Sequence, residues 1–193
     1  YTDILTMPFK KRTEYCARKV SLIFQDSINA LNPFERIQKQ WHETVAIHHP
    51  QMKKEEMDTH IKERLKLFGI ADDEALRKYP HQLSGGMKQR IAIAMALEAD
   101  NQILIADEPT TSLDAVNQRN IVNFIQELCE KKKLTLLYIS HNLALLDAIS
   151  THAATVKDGE IIEKGTREDV FHSPKNPYTR KMIRETMELT YEK

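Results

Sequence analysis

The sequence predicts an α/β fold: a parallel β-sheet covered by helices, with a helical lobe inserted into it. Three observations carry this. Short apolar runs at residues 20–24, 103–106 and 134–139 have the length and composition of buried strands. Segments of helical periodicity separate these runs, and alternation of strand, helix and strand argues for a parallel sheet. Between the first two runs, residues 33–82 carry helical patterns alone. A chain of 193 residues suffices for one domain with a substantial core and a smaller lobe.

Residues 1–19 are mixed and charged, with Lys10, Lys11 and Arg12 in a loop-like stretch. The first strand runs to Gln25 and Asp26. Asn32-Pro33 marks a turn, after which residues 34–48 place Ile37, Trp41 and Val45 on one helical face, and Pro50 ends the helix. A second helix, residues 54–68, carries Met57, Ile61, Leu65 and Phe68 at core spacing and stops at Gly69. Residues 72–78 add a short helix. Trp41 is expected in the core. His42, His48, His49 and His60 crowd this lobe without a carboxylate or cysteine at defensible ligand spacing, so they are expected as surface histidines rather than a metal site.

Residues 83–90 read Leu-Ser-Gly-Gly-Met-Lys-Gln-Arg. Ser84 is a favourable N-cap, and Gly85 and Gly86 let backbone amides approach an anion without a Cβ in the way. Met87, Ile91, Ala94 and Met95 recur at helical spacing, so the glycines lie at the positive end of a helix over residues 82–98, an end suited to phosphate.

Residues 103–114 read Ile-Leu-Ile-Ala-Asp-Glu-Pro-Thr-Thr-Ser-Leu-Asp. The apolar run ends in two carboxylates, and ligands collect at such strand ends. Phosphoryl-transfer chemistry needs an acid there to hold Mg²⁺ and a neighbour to orient or deprotonate the attacking water, which assigns Asp107 to the metal and Glu108 to the base. Pro109 ends the strand, and Thr110, Thr111 and Ser112 form a polar turn leading to Asp114.

Beyond Asp114, the positions Ile121, Phe124, Ile125 and Leu128 mark an amphipathic helix that ends in lysines 131–133. The strand at 134–139 ends at Ser140-His141-Asn142. Residues 143–149 are helical, runs 153–156 and 160–162 flank the turn Lys157-Asp158-Gly159, and Thr166 caps a short helix over 167–171. A tail with Asn176-Pro177-Tyr178-Thr179-Arg180 follows.

Lys plus Arg equals Asp plus Glu at 28 each, so no electrostatic footprint for nucleic acid exists. Cys16 and Cys129 lie far apart, which supports neither a disulfide framework nor a zinc site and fits a reducing compartment. No apolar run is long enough to span a bilayer and no secretory signal pattern is present, so membrane attachment is expected through partner subunits.

In order, spacing and local pattern, residues 83–90 and 103–114 together resemble the nucleotide-binding subunits of ABC transporters, and the likeness runs over residues 3–183. Ala30-Leu31-Asn32-Pro33 and the Asn-Pro-Tyr-Thr-Arg tail are similar to the subfamily that powers uptake of oligopeptides, dipeptides, nickel or related solutes. The resemblance implies a P-loop NTPase-like (RecA-like) sheet with an inserted ABC-type helical subdomain. Residues 1–32 would hold the first core strand and its glutamine loop, 33–98 the helical subdomain with its signature helix, 99–165 the remaining core, and 166–193 the tail.

The resemblance also implies ATP and Mg²⁺, with ATP lying between two such subunits. Gln25, Asp107, Glu108 and His141 would serve ATP on this subunit: Gln25 at the metal and the attacking water, His141 at the γ-phosphate, with Asn142 in place of the commoner Asp. Ser84, Gly85, Gly86 and Gln89 would clasp ATP held by the partner, and Asp114 would lie at the dimer contact. The partners implied are a second, identical or related ATPase subunit, integral-membrane permease subunits and, indirectly, an extracytoplasmic solute-binding protein, at the cytoplasmic face of the inner membrane. The phosphate loop G-x-x-x-x-G-K-[ST] is absent, since none of the 5 glycines precedes a lysine. The expected reading is a chain cut after that loop. A non-hydrolysing subunit that only donates residues 84–86 to a partner's site, or an ABC ATPase without a transport role, are the alternatives.

Overall fold

The computed structural model describes residues 3–25, 30–71, 73–99, 101–110 and 114–191. Asp26, Asp72, Thr111 and Ser112 lie outside the described residues. The chain divides into two compact units, Tyr1–Ile139 and Ser140–Lys193.

In the first unit, β1 (Val20–Ile23), β2 (Ile103–Asp107) and β3 (Thr135–Ile139) form a parallel sheet with β2 in the centre. The register pairs Ile23 with Ala106 and Asp107 with Ile139, so the carboxyl ends of all three strands share one edge. The central strand is the most shielded: Leu104 and Ala106 are 0% exposed. Helix α5 (Ala115–Lys132) makes the crossover from β2 to β3 and buries Ile121, Val122, Ile125 and Leu128, while Lys133 at φ 54 closes it in the left-handed conformation.

The helical lobe is built from α2 (Ile37–His48), α3 (Lys54–Leu67) and α4 (Gly85–Ala96). Its core and that of the sheet are one: Trp41, Ile61, Leu65 and Phe68 join Ile23, Ile91, Leu104 and Ile125 in a single apolar cluster. Trp41 is fully buried, as expected. Helix α2 begins at residue 37 rather than 34 because the Asn32 carboxamide accepts the Phe34 N–H at 3.0 Å, a local turn that competes with helix. Residues 80–82 and 73–77 form 3₁₀ turns, and α4 is shorter at both ends than the 82–98 expected: it starts beyond Ser84 and Leu97 closes it.

Residues 1–19 differ from expectation. Phe9–Lys19 is a helix, α1, so Lys10, Lys11 and Arg12 are helical rather than in a loop. None of its residues is buried.

The second unit holds α6 (Leu143–Ile149), the antiparallel hairpin β4 (His152–Lys157) and β5 (Glu160–Thr166), and α7 (Pro177–Tyr191). Asp158 and Gly159 both have positive φ, 50 and 83, which a two-residue hairpin of the favoured twist demands. Thr166 does begin a turn, through reciprocal bonds with Asp169, but Glu168–His172 is π-helical. The tail folds as helix from Pro177, where only a tail was expected. Leu143, Phe171 and Ile183 form the small core. Among the described residues no helix is long and apolar enough to cross a membrane.

Candidate functional site

The parallel register decides what gathers at the sheet edge. Gln25 lies two residues past the end of β1, and Asp107 and Glu108 close β2, which β1 flanks directly. Asp107 is half-buried and Gln25 exposed. They place a carboxylate and an amide oxygen at one edge, a donor set that fits a hard divalent cation such as Mg²⁺.

Glu108 has φ 45, an uncommon conformation for a residue with a side chain, and its N–H donates to the Ile139 carbonyl at 3.0 Å. The β2–β3 ladder therefore continues one residue past the strand before the chain turns. Pro109 and Thr110 are buried just beyond.

Tyr138, which sequence reasoning did not single out, flanks Glu108 from β3. Burial pushes its phenol above the usual range, and the Glu108 carboxylate adds to that push, against a 3.4 Å contact between the phenol and the Thr110 hydroxyl. The Gln118 amide donates to the Thr110 carbonyl at 3.0 Å, fastening the loop to α5. A tyrosine on an alternating strand carries no local signal of this role; only the register brings it there.

At the start of α4 the Ser84 hydroxyl accepts the Met87 N–H at 3.3 Å, as an N-cap should. A Cβ at Gly86 would meet nothing within 4 Å, and Gly86 has no positive φ. Neither packing nor backbone conformation within this chain requires glycine there, so its open face is available to something outside the chain.

Gln89 turns inward. It is 1% exposed, and its amide donates to the Pro109 carbonyl, which ties α4 to the loop after Glu108.

Asp114 is exposed and caps α5: its Oδ1 accepts the N–H groups of Val116 at 3.1 Å and Asn117 at 3.0 Å, which hold its carboxyl below the usual aspartate range together with the Asn117 amide. In the second unit, Asn142 caps α6 by accepting the Leu145 N–H at 3.1 Å, so an amide serves there where the commoner acid would. His141 is exposed and lies two residues beyond the end of β3.

The lobe histidines are a correction. His42 contacts Asp58 at 2.8 Å, and His49 and His60 both converge on Glu98, which is 0% exposed. The carboxylate that spacing could not supply comes from beyond α4, 38 residues from His60.

The sequence pattern of the ABC transporter family matches residues 3–111. The chain belongs to the ABC transporter family. Among its curated relatives, the dipeptide transport ATP-binding protein DppD of Haemophilus influenzae is 41% identical over 95% of this chain and 56% of its own length. DppD of Bacillus subtilis is 41% identical over 94% of this chain and 54% of its own length. The oligopeptide transport ATP-binding protein OppD of Bacillus subtilis is 35% identical over 92% of this chain and 49% of its own length. The chain thus spans about half the length of the curated relatives it matches.

A solved structure, the dimeric post-hydrolysis state of the ATP-binding cassette MJ0796 bound to ADP and Pi, shares the fold with a TM-score of 0.67, at 24% identity, over 84% of this chain and 68% of that one. The ABC fold accounts for the parallel P-loop NTPase-like sheet and its helical covering, as the sequence predicts.

Proposed function

We propose that this chain is part of an ATP-hydrolysing subunit that energises uptake of dipeptides, oligopeptides or a related small solute such as nickel. The observation that carries the proposal is Glu108, a carboxylate in a left-handed backbone conformation at the carboxyl edge of a parallel sheet, next to Asp107. The names of the relatives DppD and OppD support the solute class.

Asp107 and Gln25 would hold Mg²⁺, which neutralises charge developing on the transferred phosphoryl group. Glu108 acts as the base on the attacking water, and His141 contacts the γ-phosphate. Ser84, Gly85 and Gly86 present the positive end of α4 to ATP held by a second subunit, identical or related. ATP bridging two subunits draws them together, and hydrolysis removes the bridge; the helical lobe transmits the motion to membrane-embedded permease subunits on the cytoplasmic side. A solute-binding protein on the opposite side would deliver the cargo.

The test is reconstitution of the full-length protein with its permease in vesicles, with solute uptake followed as ATP is supplied inside or outside. Uptake of labelled dipeptide or Ni²⁺ driven by ATP on the lobe's side is the expected result. A full-length protein that neither holds nor hydrolyses ATP on its own, and gives no uptake without a second ATPase, would overturn it in favour of a subunit that only completes a partner's site.

A further inference from the structure

We propose that His49, His60 and Glu98 form a binding site for one borderline divalent cation of the zinc class, inside the helical lobe and independent of the nucleotide chemistry. The three ligand atoms come from different segments: His49 closes α2, His60 lies in α3, and Glu98 follows α4. Each offers one ligand atom, and these atoms all lie within 4.8 Å of one another.

His60 Nε2 contacts Glu98 Oε1 directly while His49 stands further off, so an ion entering the cluster would part the first pair and draw in the second. His49 Nε2 is 3.4 Å from Glu98 Oε1 and 3.4 Å from the Glu98 carbonyl, long for a hydrogen bond to either. With Zn–N and Zn–O near 2.0–2.1 Å, the edge of a tetrahedral ligand set is about 3.3 Å. Both imidazoles address the same carboxylate oxygen. The other, Oε2, is taken by the Trp41 indole N–H at 3.1 Å, so the carboxylate is oriented from behind with Oε1 turned to the histidines.

The surroundings match such a site. Arg64 donates to the Glu98 carbonyl at 3.2 Å and lies 3.8 Å from Oε1, a positive charge that opposes a cation. Against it stand Glu55, Glu56 and Glu63, which line a groove with His60 and give an acidic approach from solvent. Glu98 is fully buried while the two histidine side chains are 31% and 23% exposed, so the site is anchored inside and reached from outside. Three protein ligands leave one position for water or a further donor.

A bound ion would fasten the ends of α2 and α4 to the middle of α3, the lobe that the proposed function sets in motion. The site stands on its own geometry and does not rest on that function.

The experiment uses the full-length protein, stripped with chelator, loaded with Zn²⁺ without nucleotide and desalted, with metal counted by mass spectrometry beside His49→Gln and His60→Gln. Wild type is expected to keep about one equivalent more than either variant, and Trp41→Phe to weaken Zn²⁺ about 10- to 100-fold, the usual cost of losing an outer-shell partner. Because a variant could fail to fold, wild type is also loaded with Co²⁺, whose intense visible bands report tetrahedral coordination by nitrogen and oxygen. Equal zinc in wild type and folded variants, or wild type without those bands, would overturn the site and leave a hydrogen-bonded network around Glu98.

Discussion

The backbone N–H of Glu108 donates to the carbonyl of Ile139 at 3.0 Å while Glu108 holds φ at 45. The bond pins the residue at the end of the β2–β3 ladder, and the left-handed backbone turns the chain sharply after it. A side chain in this conformation costs roughly 1–2 kcal/mol that glycine avoids. Glu108→Gly is therefore expected to raise stability by about 1 kcal/mol in urea unfolding while removing ATP turnover. Loss of stability would show that the conformation is not strained.

Gly86 yields the complementary case. With no atom near its missing Cβ and a place in the first turn of α4, Gly86→Ala should leave the isolated subunit as stable or up to about 1 kcal/mol more stable. If the open glycine faces ATP on a partner, the same change should lower turnover and nucleotide-driven dimerisation. Thermal unfolding without nucleotide, set beside turnover, separates the two effects. A variant with full turnover would remove Gly86 from the interface.

Thiol chemistry should distinguish the two cysteines. Burial pushes the Cys129 thiol up to about 11, whereas Cys16 is only half-buried in α1. At pH 8 the thiolate fraction of Cys129 is about 10⁻³. A maleimide is expected to label Cys16 in the folded protein and Cys129 only on unfolding, read by mass spectrometry of the peptides.

In the second unit, Asp147 accepts from the Arg167 guanidinium at 2.7 Å and contacts His172 at 3.2 Å. The Arg167 bond, aided by the charges of His172 and Arg167, holds its carboxyl below the usual aspartate range despite partial burial. A lowered folded pKa contributes stability that is full above the unfolded value and is lost as pH falls through the folded one. Asp147→Asn should thus narrow the stability gap between neutral and acidic solution, and a melting series from pH 7 to pH 3 checks it. An unchanged pH dependence would mean the pair contributes nothing.

The legible parts of the fold were those where a local rule and a core demand coincide. Leu104 and Ala106 form the buried face of an apolar run, and Ser84 marks its helix by capping chemistry alone. Helix α1, which buries nothing, escaped; α7 did so because Pro177 at its start read as a loop signal although proline is well suited to a first helical turn. In the site, Asp107 and Glu108 were readable from the strand end. The inward turn of Gln89, the flanking Tyr138 and the meeting of His49 and His60 at Glu98 were not, since each depends on tertiary contacts at sequence distances no periodicity spans.

The most direct test of the central claim is steady-state ATP turnover by the full-length protein with Mg²⁺, beside Glu108→Gln, with nucleotide binding measured in parallel. A positioned base contributes about 10²- to 10⁴-fold, so the variant is expected to bind ATP as wild type does and to turn over slower by that factor. Undiminished hydrolysis by Glu108→Gln would contradict the assignment of Glu108 as the base.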